Sequence, residues 1–134
     1  MMSLDQLISD EIAKIEIKIS EPNPERGDKW NEDEFAVFKV KISNLTSYEL
    51  RDVVVLIENH NCTHAGIPIG IIDLYPRRFA VTSMSRNTSK YFYTRYKADS
   101  NVDTAKLWAT VSAGLISEKT TYKMGEKEFT IYEE

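Results

Sequence analysis

Two neighbouring stretches, 35–43 and 50–58, alternate apolar and polar residues with a period of two, and a short polar turn, Asn44-Leu45-Thr46-Ser47, joins them. That period places successive side chains on opposite faces of a strand, whereas a helix repeats every 3.6 residues or so. Ala36, Phe38, Val40 and Ile42 fall on one face, and Lys39, Lys41 and Ser43 on the other. Within the second stretch, Val53-Val54-Val55-Leu56-Ile57 is nearly continuous β-branched sequence, the pattern of a central strand covered on both faces. No comparable stretch repeats with helical period. A sheet with one apolar face must bury it against a second layer, so the expected class is an all-β, two-sheet antiparallel sandwich.

The rest of the chain supplies the other strands. Residues 13–20 alternate without error, Ile15, Ile17 and Ile19 against Lys14, Glu16 and Lys18. Residues 21–34 read as a loop, because Pro22 and Pro24 cannot both donate to a central ladder and Gly27-Asp28 favours a turn. Trp30 within it is either a lid on the sandwich edge or an exposed contact. Residues 67–74 form a strand pattern broken by Pro68 and Gly70, followed by a turn at Tyr75-Pro76-Arg77 and a short strand at Phe79-Ala80-Val81. A second turn, Ser85 to Ser89, leads into an aromatic strand with Phe92, Thr94 and Tyr96 on one face and Tyr91, Tyr93 and Arg95 on the other. Leu107, Ala109, Val111 and Ala113 then alternate with Trp108, Thr110 and Ser112. Finally, Met124-Gly125 is expected to turn a hairpin between two last short strands, with Gly125 taking positive φ. About eight strands result.

At the N-terminus, Ser3-Leu4-Asp5-Gln6 has the form of a capping box, and Leu4, Leu7, Ile8 and Ile12 share a helical face. Residues 1–12 are therefore a lead-in segment, helical in part or partly an appended leader, given the doubled Met1-Met2; residues 13–134 form one sandwich domain.

Composition narrows the function classes. A net charge of −4 argues against a general nucleic-acid binder, which needs clustered cations for phosphates. Lys14, Lys18, Lys39 and Lys41 alternate singly with other residues, as on the solvated face of strands. One cysteine, Cys62, permits no internal disulfide. No apolar run approaches the length of a membrane span, and Asp5, Asp10 and Glu11 interrupt the only signal-peptide candidate.

The segments Phe38-Lys-Val-Lys-Ile-Ser-Asn44, Leu50-Arg-Asp-Val-Val-Val-Leu56 and Ser85-Arg-Asn-Thr-Ser-Lys-Tyr-Phe92 resemble the immunoglobulin-like modules of prokaryotic surface proteins. Among these, the order is most similar to the cell-adhesion-related domain, CARDB, over roughly residues 34 to 113. The chain departs from that pattern in lacking a glycine in the first turn and in a longer insertion over 59–66. The resemblance implies an immunoglobulin-like fold, a spacer or adhesion role in a larger extracellular or envelope protein, and protein partners. It carries over no catalytic residue and no cofactor.

One constellation invites chemistry. His60, Cys62 and His64 hold both histidines and the only cysteine within five residues. On one extended strand that spacing presents all three to the same side, a donor set suited to zinc or copper, with Glu58 or Asp73 to complete the shell. The competing reading is a polar loop, since ligands normally come from two elements and no second cluster exists. Enzymatic signatures are missing: no nucleophile elbow, and the five glycines are scattered rather than forming a phosphate loop.

Asn44, Asn61 and Asn87 each begin an N-x-Ser/Thr triplet in an expected turn, where chance gives about one such triplet. Surface exposure and glycosylation at these positions are the corresponding expectation, against the plain preference of Asn and Thr for turns. Tyr91, Tyr93 and Arg95 make an interface-type patch if they face outward, and core if they face a second sheet. The expected function is thus a non-enzymatic interaction module. Alternatives are a metal-binding sandwich at His60, Cys62 and His64, or a carbohydrate-recognising module using Trp30 and outward tyrosines.

Overall fold

The computed structural model describes residues 3–20, 23–24, 30–31, 34–60, 62–64, 77–98, 103–115 and 120–131. Among the described residues a helix, α1 (Leu4–Ile12), precedes nine strands: β1 (Ile15–Ile19), β2 (Asn23–Pro24), β3 (Phe35–Asn44), β4 (Leu50–His60), β5 (Cys62–His64), β6 (Arg77–Met84), β7 (Thr88–Ala98), β8 (Thr104–Gly114) and β9 (Thr120–Thr130). One sheet runs β1-β3-β7-β5 with β2 also on β3, and the other runs β6-β4-β8-β9. Every pairing is antiparallel.

Alternation explains why these segments become two facing layers. Phe38, Val40 and Ile42 of β3, with Phe92 and Tyr96 of β7, are buried, as are Val53, Val55 and Ile57 of β4 and Leu107, Ala109 and Val111 of β8. The two inner faces seal one core. An aromatic cluster marks one end of it: Phe38 lies 5.0 Å from Trp30, 5.9 Å from Tyr96 and 5.1 Å from Phe129, each edge to face. Truncating Phe38 to alanine removes the hub of that cluster, a change worth about 3–5 kcal/mol at buried aromatic sites.

Trp30 is only 2% exposed, and its Nε1 donates to the carbonyl of Glu34 at 2.7 Å. The indole thus buries its rings without leaving an orphaned donor. This settles the choice left open by the sequence in favour of packing, and removes Trp30 from any outward contact or sugar-stacking surface. The loop around it also contributes β2, whose Pro24 sits on a two-residue strand against β3, where proline is tolerated.

Three expectations about strands change. Met124-Gly125 does not turn: β9 runs unbroken from Thr120 to Thr130, with Gly125 opposite Ala109. A Cβ at Gly125 would come within 3.0 Å of Ile17 Cβ and Cγ2 of the other sheet, so the glycine serves close approach of β1 to β9 rather than a positive φ. Strand β4 is central in its sheet, but its outer residues Val54 and Leu56 are half-buried, so cover is complete only on the inner face. Its start carries a bulge between Arg51 and Val54, with Asp52 at φ 49°. The short strand expected at 79–81 extends to Arg77–Met84. The pattern at 67–74 and the turn at Tyr75-Pro76 lie outside the described residues.

The turn after β3 crosses between sheets, since β3 and β4 belong to different layers. Asn44 anchors it. Its side chain is 0% exposed; Nδ2 donates to the carbonyls of Tyr48 (2.9 Å), Met84 (3.0 Å) and Ser85 (3.2 Å), while Oδ1 accepts from Thr46 N at 3.1 Å and lies 2.6 Å from Thr46 Oγ1. Helix α1 is fastened to the same turn. Ser3 caps it, with Gln6 N donating to Ser3 Oγ at 3.1 Å, although the Gln6 side chain reaches Asp10 rather than back to the cap. Ile8 and Glu11 are buried, and Glu11 Oε2 accepts from Ser47 N at 2.8 Å. That bond, aided by Lys14 Nζ at 3.1 Å, holds the Glu11 carboxyl below its ordinary pKa against the opposing effect of desolvation.

Candidate interaction surface

The outer face of the five-stranded sheet is built by β3 and β7, paired in register along their length. Phe35 stands opposite Lys97, Val37 opposite Arg95, Lys39 opposite Tyr93, and Lys41 opposite Tyr91. Because Phe38, Thr94 and their alternates point into the core, these partners all point outward. Lys18 of β1 joins them opposite Lys41. Tyr91 and Tyr93 are 46% and 57% exposed, so the open question about them is resolved toward solvent. Arg95 is exposed beside them.

Diagonal and directly opposite neighbours make two similar clusters. Lys39 Nζ sits 4.4 Å over the Tyr91 ring, with Lys41 Nζ at 5.9 Å. Arg95 Cζ sits 4.3 Å over the Phe35 ring, with Lys97 Nζ at 5.9 Å. Such contacts hold a cation over the negative face of a ring and are worth about 0.5–1 kcal/mol each when exposed. Tyr93 and Val37 lie between the clusters, and the Ser43 and Ser89 hydroxyls, 2.8 Å apart, close one end. The arrangement is a sheet face of cations laid over rings beside exposed aromatic edges; Tyr and Arg are types enriched at protein interfaces, and the lysines add a positive charge that interfaces in general do not favour.

The tyrosines and Arg95 were visible in the sequence as one strand face. Phe35, Lys39, Lys41 and Lys97 were missed as their companions, because the pairing of β3 with β7 is a matter of register between segments some fifty residues apart. The alternating lysines were the available signal.

The other candidate residues are placed differently. His60 ends β4 in one sheet and Cys62 begins β5 in the other, so the premise of a single extended strand fails between them. His60 is exposed opposite Lys106, whereas Cys62 is buried with Sγ directed to the His60 carbonyl at 3.6 Å. The His64 side chain, Asn61 and Asp73 lie outside the described residues, and Glu58 is half-buried opposite Trp108. Among the described residues no group of three His, Cys, Asp or Glu converges as a metal site. Asn44 corrects the expectation of an exposed, glycosylated turn: the Nδ2 that a glycan would occupy is buried and committed to carbonyls. Asn87 is exposed in a turn at φ 58°, and its backbone N donates to the Asn44 carbonyl at 2.8 Å. No helix among the described residues is long and apolar enough to cross a membrane.

No protein-family model matches the sequence, and no curated protein matches it by sequence. Solved structures do. α2-Macroglobulin from Salmonella superposes with a TM-score of 0.65 at 9% identity over 88% of this chain, which spans only 7% of that protein's length. A cohesin module of a Clostridium perfringens family 33 glycoside hydrolase gives 0.60 at 13% identity, covering 90% of this chain and 98% of the module. The CARDB domain of a Pyrococcus furiosus protein, solved in complex with di-metal ions, gives 0.57 at 10% identity, covering 88% and 89%. At such identities the likeness is one of fold: the chain is an immunoglobulin-like β-sandwich of the kind seen in CARDB and cohesin modules.

Proposed function

We propose that the chain is a non-enzymatic interaction module of a larger prokaryotic surface or envelope protein, and that it binds protein partners through the outer face of the five-stranded sheet. The observation that carries this reading is the paired cation-and-ring face of β3 and β7, with Tyr91 and Tyr93 exposed and Arg95 beside them. Aromatic residues and arginine concentrate at the energetic centres of interfaces. The fold shared with CARDB and cohesin modules supports a spacer or binding role.

Site-specific photocrosslinking tests it. A benzoylphenylalanine at Tyr93 in the source cells should capture a protein of the envelope fraction, while the same probe at exposed Thr82, on β6 of the other sheet, should not. Equal capture from both sites, or none from Tyr93, refutes the assignment of the face. Recovery of the chain solely from cytosol refutes the envelope setting.

A further inference from the structure

We infer that this face receives an acidic polypeptide segment, extended along the strands, with carboxylates at alternate positions; the inference rests on the interaction-module reading above. Charge is the first reason. The chain carries 21 acidic against 17 basic residues, yet Lys18, Lys39, Lys41, Arg95 and Lys97 gather on one face. Glu16 is the one acid among the described outward residues of β1, β3 and β7.

Spacing is the second reason. Lys39 and Lys41 lie two residues apart on a strand, roughly 7 Å. An extended ligand repeats its side chains on one side at the same interval, so carboxylates at alternate positions match that pair. Preorganisation is the third. Lys39 and Arg95 already rest over Tyr91 and Phe35, which limits the side-chain entropy lost when a carboxylate docks.

The same contacts argue against a nucleic acid. Rings overlain by cations present less bare surface for base stacking. A long polyanion would also run beyond the basic face onto a chain whose net charge is −4, whereas a short acidic segment ends within it.

The test is an amide chemical-shift titration of the full chain with a dodecapeptide alternating Glu and Ala. Its Gln-Ala counterpart and an oligothymidylate of equal length are run in parallel. Shifts should cluster on β3 and β7, and affinity should fall by about tenfold or more between low and high salt. The K39E/K41E double variant should abolish binding; should it misfold, the salt response and the Gln-Ala peptide still decide. No shifts at millimolar peptide in low salt, shifts elsewhere, or binding of the Gln-Ala peptide as tight as that of the acidic one overturns the inference. Tighter binding of the oligothymidylate at the same face overturns it too, in favour of nucleic acid. A protein crosslinked at Tyr93 without acidic-peptide binding sinks this inference alone and leaves the broader reading intact.

Discussion

Replacing Asn44 by alanine probes the joint between the two sheets. The side chain offers two protons to three carbonyls, those of Tyr48, Met84 and Ser85, and accepts from Thr46 N at a site with no exposure. Alanine leaves those carbonyls and that N–H without the side chain they bond. A typical net hydrogen bond contributes about 1 kcal/mol, and each buried polar group left unsatisfied costs about 1–3 kcal/mol. Two good donor bonds and two acceptor bonds, from Thr46 N and Thr46 Oγ1, discounted for relaxation and because Thr46 Oγ1 can donate to the Tyr48 carbonyl instead, give a loss of about 3–4 kcal/mol. Against a typical total of about 5–15 kcal/mol that is a large fraction. Urea unfolding followed by tryptophan fluorescence should show a lower midpoint with an unchanged slope.

Asn44→Asp sharpens the test, because it keeps shape and replaces the donor by an acceptor facing carbonyl oxygens. Burial and those carbonyls raise the pKa of the introduced acid above its unfolded value. Its folded form is then favoured below the unfolded pKa, and stability is lost as pH rises through the folded pKa. The aspartate variant should therefore lose stability relative to wild type between acid and neutral pH. An alanine variant costing under about 1 kcal/mol, or a pH-independent aspartate penalty, refutes the account of Asn44 as the anchor.

Three further outcomes follow from the packing. Gly125→Ala should destabilise by about 1–2 kcal/mol, because Ile17 Cβ at 3.0 Å cannot yield without backbone movement; a neutral or stabilising result in thermal melts would contradict the close approach. Among the described residues the buried Thr94 Oγ1 finds no hydrogen-bond partner, so Thr94→Val should raise stability by about 1 kcal/mol, and a loss in urea melts would contradict it. The Glu11 carboxyl titrates below its ordinary value, so its contribution is present above the unfolded pKa and disappears as pH falls through the folded one. The stability gap between wild type and Glu11→Gln should accordingly close as the solution is acidified from neutral through the carboxylate range, and a constant gap would refute the Ser47 and Lys14 contacts as its cause.

Local alternation made β1, β3 and β8 legible, because a strand buried on one face writes its own period into the chain. The inward sets Ile15 and Ile19, Phe38, Val40 and Ile42, and Leu107, Ala109 and Val111 were all readable in this way. Gly125 was misread because glycine signals both a turn and a close approach, and only the position of Ile17 on another strand separates the two. Asn44 was misread for a related reason: an Asn-led turn looks exposed until the two layers close over it. The His60 and Cys62 premise failed because a sandwich chain changes sheets between consecutive strands, and local spacing is blind to that switch. The candidate face was half visible. Tyr91, Tyr93 and Arg95 share a strand, but the partners that give the patch its charge arrive through register.

The cations on that face bear on solubility as well as on recognition. Phe35, Val37, Tyr91 and Tyr93 together would form a contiguous apolar patch on an outer sheet, a surface prone to self-association. Laying Lys39 over Tyr91 and Arg95 over Phe35 interrupts it with like charges that repel a second copy of the same face. A carboxylate-bearing partner cancels that repulsion and gains the cations already in place, so one set of contacts both protects the free module and selects for acidic ligands. The cations of this face stand out against a chain whose net charge is −4. That favours rapid, oriented and salt-sensitive encounter over tight burial.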